Sequence, residues 1–81
     1  MTRNEFAQHV ADLARPFEIQ PPPRGVLNNR FTLGNWETNY IIIKTEHSQA
    51  ELFLPYYLID AINPGTVTLT KITRITGKFL A

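Results

Sequence analysis

Two histidines and a single serine offer the most direct candidates for chemistry in this 81-residue chain, and two of the three are neighbours, His47 and Ser48. A nucleophilic hydroxyl needs an imidazole within hydrogen-bond reach and a third group to orient it, and adjacency along the backbone supplies neither. His9 lies about 60° off the centre of the face that Phe6, Val10 and Leu13 would form on a helix, where a boundary residue at the core edge is expected. Glu51 and Asp60 are the carboxylates one would pair for acid–base work, yet no spacing brings them together. The four glycines are scattered, with no phosphate-cradling loop, and the absence of cysteine excludes disulfides and thiolate metal sites. No catalytic residue, metal or cofactor is expected, and the chain reads as a non-enzyme.

Binding chemistry is better represented. Beyond the prolines, Arg24, Arg30, Lys44, Lys71, Arg74 and Lys78 face only Glu37, Glu46, Glu51 and Asp60, a local cationic excess in a chain of net charge +1. If strands bring them to one face, Arg30, Lys44, Lys71, Arg74 and Lys78 form a phosphate-binding stripe whose affinity falls with salt. The alternative is a solvated face. A second candidate is the run from Leu52 to Ile59, broken only by Pro55, in which Leu52, Phe53, Leu54, Tyr56 and Tyr57 form a protein interface. Trp36, Tyr40, Tyr56 and Tyr57 suit either base stacking or packing.

Composition bounds these readings. A hydrophobic share of 43% suits a globular chain. No apolar run reaches the roughly 20 residues of a membrane span, and the polar start from Met1 to Glu5 does not resemble a signal peptide, so a cytoplasmic protein without a membrane partner is expected. A domain this small has a thin core, and self-association is the remaining way to reinforce it.

The elements that must position these residues follow from local signals. Thr2 and Glu5 match a capping box and predict a helix over Arg3 to Ala14, ended by Pro16. Residues 17–25, with Pro21, Pro22 and Pro23, predict an extended spacer. Val26 to Phe31 suggests a small hairpin turning at Asn28-Asn29, and Gly34-Asn35 suggests another turn. Trp36 to Thr45 and Ala50 to Leu54 predict an antiparallel hairpin around the polar turn Glu46 to Gln49, and three consecutive isoleucines imply a strand buried on both faces. Pro55 suits the first position of a short helix over 55–62, stopped by Asn63-Pro64-Gly65. Thr66 to Ile75 predicts a strand interrupted near Thr70 to Thr73, and Lys78 to Ala81 a short final one. The expected fold is α+β: one small domain in which an N-terminal amphipathic helix (1–16) and the proline-rich spacer precede a β-rich core (26–81), with an antiparallel sheet of about 4–5 strands and one short inserted helix.

The pattern Leu54-Pro55-x-x-Leu58-x-x-Ala61-Ile62, followed by Pro64-Gly65-x-Val67-x-Leu69, resembles the signature of AbrB/MazE-type swapped-hairpin transcription regulators over residues 40–81. That resemblance implies an intertwined homodimer that binds DNA, with the proline opening a short helix. The functional expectation is a non-catalytic regulatory protein of this kind, a homodimer with DNA as partner. The alternative is a small protein-binding inhibitor or adaptor that acts through the surface around residues 52–59.

Overall fold

Ile41, Ile42 and Ile43 are all buried because their strand is the middle of three. In the computed structural model, which describes residues 1–75 and 77, strands β2 (Phe31–Trp36), β3 (Tyr40–Thr45) and β4 (Glu51–Pro55) form an antiparallel meander in that order. The register sets Leu33 against Ile43, Ile42 against Phe53 and Lys44 against Glu51. A central strand covered on both faces favours consecutive β-branched residues over strict alternation.

A second three-stranded sheet has β6 (Thr66–Leu69) at its centre, flanked by β1 (Glu18–Gln20) and β5 (Ile59–Asn63). Strands β5 and β6 are antiparallel across the Pro64-Gly65 turn, where Gly65 takes φ +79°. Proline presets the first central position of such a turn and glycine accepts the left-handed second. Strand β1 runs parallel to β6, aligning Ile19 with Val67. Its outer edge is satisfied by a side chain: the Ile19 N–H donates to Asn29 Oδ1 at 3.1 Å, and Asn29 Nδ2 donates to the Ile19 carbonyl at 2.8 Å. One amide thus occupies the place of a neighbouring strand and blocks edge pairing there.

One apolar cluster joins both sheets to the N-terminal turns, with Phe6, Phe17, Ile19, Phe31, Ile41, Leu54 and Val67 among its buried members. Among the described residues no polar or charged residue is buried in it. Two short helical turns close one side: α1 (Arg3–Ala7), capped by Thr2 and Glu5 as a capping box, and a 3-10 turn over Val10–Leu13.

The α+β expectation is corrected on three counts. The long N-terminal helix is instead two separate turns: after Ala7 the backbone bonds tighten, with the Gln8 and His9 N–H groups donating three residues back to the Glu5 and Phe6 carbonyls, and the Asp12 carbonyl, whose helical partner would be Pro16 with no N–H, accepts from the Gly65 N–H at 3.1 Å. The single sheet of about 4–5 strands is two sheets of three. The inserted helix over 55–62 is a 3-10 turn over Tyr56–Leu58 that runs directly into β5; Pro55 has extended dihedrals and closes β4. Two further differences accompany these. Residues expected as a spacer contribute β1, with a cis Gln20–Pro21 bond, and Gly34-Asn35 lies inside β2 at a register irregularity rather than in a turn. The expected final strand, Lys78 to Ala81, lies outside the described residues.

Candidate functional site

The strand alternation of β4 continues through Pro55 into the following turn, and this divides the segment between two faces. Leu54, Tyr56 and Leu58 point inward and are 0%, 4% and 7% exposed. Phe53 and Pro55 point outward and are half-buried, while Tyr57 is 74% exposed. Tyr40 joins them from β3, its ring centroid 4.8 Å from that of Phe53 with the planes inclined by 34°. Such diagonal cross-strand aromatic pairs reinforce a sheet and leave one ring edge to solvent.

Tyr40, Pro55 and Tyr57 form a ridge with a cleft on either side. The first, of about 600 Å³, is closed by Thr2 and Arg3 from the N-terminal turn and by Thr38 and Asn39 from the β2–β3 turn. The second, of about 370 Å³, is closed by Phe53, Leu58, Thr73 and Arg74.

The inward face anchors the ridge. Tyr56 packs against Phe6 at 5.5 Å, Phe6 against Trp36 at 5.9 Å, and the Arg3 guanidinium lies 4.6 Å from the Trp36 ring centroid. The Tyr56 hydroxyl donates to the Glu37 carbonyl at 2.7 Å. Burial pushes the phenol above its ordinary titration range; Arg3 opposes that shift and the Glu37 charge adds to it. Glu5, which faces solvent, is held below the usual carboxylate value by hydrogen bonds from the Thr2 backbone and hydroxyl.

The cations expected as one stripe differ in their partners. Arg30 is paired with Glu46 at 3.2 Å, and Lys44 stands between Thr32 and Glu51 in the ladder register. Lys71 and Arg74 are exposed, and Lys78 lies outside the described residues. The cation that the fold brings beside Arg74 is Arg24, through an isolated parallel bridge in which the Arg24 N–H donates to the Thr73 carbonyl at 3.0 Å. No local signal could have joined segments so far apart in sequence.

The expected protein interface is likewise divided by the two faces. Leu54 and Tyr56 belong to the core and Leu52 packs against it half-buried, so Phe53 and Tyr57 are the members that reach the outer surface. Pro55 belongs with them by the period-2 pattern of β4, a signal already present in the sequence. Of the residues considered for catalysis, Ser48 is hydrogen-bonded to Thr45, His47 is exposed, and His9 Nδ1 lies 3.6 Å from Asp12. Glu51 and Asp60 stand on strands of different sheets. Among the described residues no cluster of three histidine or acidic side chains could hold a metal, and no helix is long and apolar enough to cross a membrane.

No family model, curated protein or solved structure matches the chain.

Proposed function

We propose that the chain is a non-catalytic protein-binding module that receives an extended segment of a partner along the Tyr40–Pro55–Tyr57 ridge. The observation that carries this reading is the outward face of residues 53–57: two aromatic rings and a proline at the surface, braced from behind by a packed aromatic cluster. An apolar ridge between two clefts suits a partner in extended conformation, which can place one side chain on each side of it. Aromatic-lined grooves of this kind bind by burying ring faces at little entropic cost, since the rings are already positioned.

A DNA-binding dimer draws less support. Arg30 and Lys44 stand beside carboxylates, and Tyr40 and Phe53 turn toward each other, which leaves them less ring surface for bases. The exposed Lys71 and Arg74 are what remains in its favour.

The test is selection of random dodecapeptides displayed on phage against the wild-type chain and against Tyr57→Ala. Expected is enrichment of sequences with aromatic, leucine or proline anchors whose affinity falls about tenfold on Tyr57→Ala, the loss usual for an interface aromatic. No enrichment, or binders indifferent to Tyr57, would reject the reading.

A further inference from the structure

Arg74, on the rim of the second cleft, belongs to a charge arrangement that packing alone does not explain. At the Arg24/Arg74 bridge two arginines stand directly across from each other, and Lys71 lies three positions before Arg74. Paired backbones in a ladder are about 4.8 Å apart, so like charges across them repel and destabilise the pairing. Among the described residues the ion pairs are Arg30–Glu46 and His9–Asp12, and neither involves this corner.

Arg74 also lies against the segment it bridges. Its guanidinium lies over the backbone of Gly25, so close that a Cβ at that position would come within 2.9 Å of Nη1, and Gly25 has φ +83°. The positive φ is what favours glycine there. The same side chain lines the cleft beside Phe53, Tyr57 and Leu58. A planar fork of donors thus stands at the end of an apolar trough, with Arg24 across the bridge from it.

We infer that the partner segment carries aspartate or glutamate next to its apolar anchor, and that Arg74, with Arg24 across the bridge from it, receives that carboxylate. This rests on the peptide-binding reading above and adds the charge of the ligand to it. Arginine matches a carboxylate through two parallel N–H donors, which favours an acidic side chain at a fixed step from the anchor over a diffuse negative field.

The composition of the selected dodecapeptides tests this separately from the cleft itself. Expected is a marked excess of Asp and Glu within a few positions of the anchor, affinity that falls with added salt, and a loss of about tenfold on Arg74→Gln. Both variants, Arg74→Gln and Tyr57→Ala, alter exposed side chains, and circular dichroism is the control that each remains folded. Enriched apolar peptides with no acidic excess, or an acidic excess unchanged by Arg74→Gln, would overturn the charge assignment and leave the cleft standing. Failure to enrich any sequence over the Tyr57→Ala control would overturn both. Binding of oligothymidylate that exceeds the best peptide and is lost on Arg74→Gln would replace the acidic peptide with a nucleic acid.

Discussion

Residues 53–57 present two faces of one short segment, and the contrast between them separates what holds this protein together from what it offers to a partner. Inward, Leu54 and Tyr56 lie in a cluster with Phe6 and Trp36, and the one polar atom they bring, the Tyr56 hydroxyl, has a backbone acceptor. Outward, Phe53, Pro55 and Tyr57 are of similar chemical character yet remain at the surface. Hydrophobicity alone does not distinguish the two sets. The position of each residue in a period of two does, and this is why a continuous apolar run supplies both a core wall and an exposed ridge.

That contrast makes unequal demands on substitutions. Leu54→Ala should cost the most, about 2–5 kcal/mol, since it opens a cavity in a fully buried site; a urea titration showing less than about 1 kcal/mol would mean that the inward face is not the structural one. Tyr56→Phe should cost about 1 kcal/mol by removing the bond to the Glu37 carbonyl while preserving the ring. The same variant reports on alkali. Because the Tyr56 phenol is raised above its ordinary value of 10.0 in the folded chain, the unfolded chain deprotonates first as pH climbs past that value. Its contribution is therefore complete below that pH and fades above it, and Tyr56→Phe should lose less stability than wild type between neutral and strongly alkaline buffer.

Smaller effects sharpen the contrast. Arg3→Gln removes a cation from the Trp36 ring and should cost about 0.5 kcal/mol, with a shift in the emission of this sole tryptophan. Tyr57→Ala should change stability by less than about 0.5 kcal/mol, although its ring is as large as that of Tyr56. Destabilisation by Tyr57→Ala comparable to that of Leu54→Ala would erase the distinction between the faces, and the ridge would then be part of the core.

The β3–β4 hairpin was legible because its signals are local: a β-branched run, a four-residue polar turn and a second apolar run. The turn at Pro64-Gly65 was legible for the same reason. The Thr2/Glu5 capping box is present, but capping decides where a helix starts and not how far it continues; here the bonds tighten to three-residue spacing at Gln8 and His9 and the helix stops at Ala7. Leu58, Ile59 and Ile62 fit one helical face as well as they fit a strand, and pairing of Ile59 with Leu69 and Ile62 with Val67 resolved that ambiguity in favour of β5. Glu18-Ile19-Gln20, three residues ahead of consecutive prolines, carries almost no strand signal of its own. It becomes β1 because β6 presents an open edge to it and Asn29 satisfies the other side.

The candidate site divides in the same way. The sequence alone placed Phe53 and Tyr57 in an apolar run and Lys71 and Arg74 among the cations, since residue type and short-range spacing are written there directly. It could not assign Leu54 and Tyr56 to the core, because that depends on which face of β4 meets the second sheet. Nor could it pair Arg30 with Glu46, bring Arg24 beside Arg74, or set Arg74 at the end of an aromatic cleft. Those outcomes depend on contacts between distant segments, whose entropic cost is repaid only when both sheets and the N-terminal turns close over one core; local chemistry proposes the parts, and tertiary closure decides which of them meet.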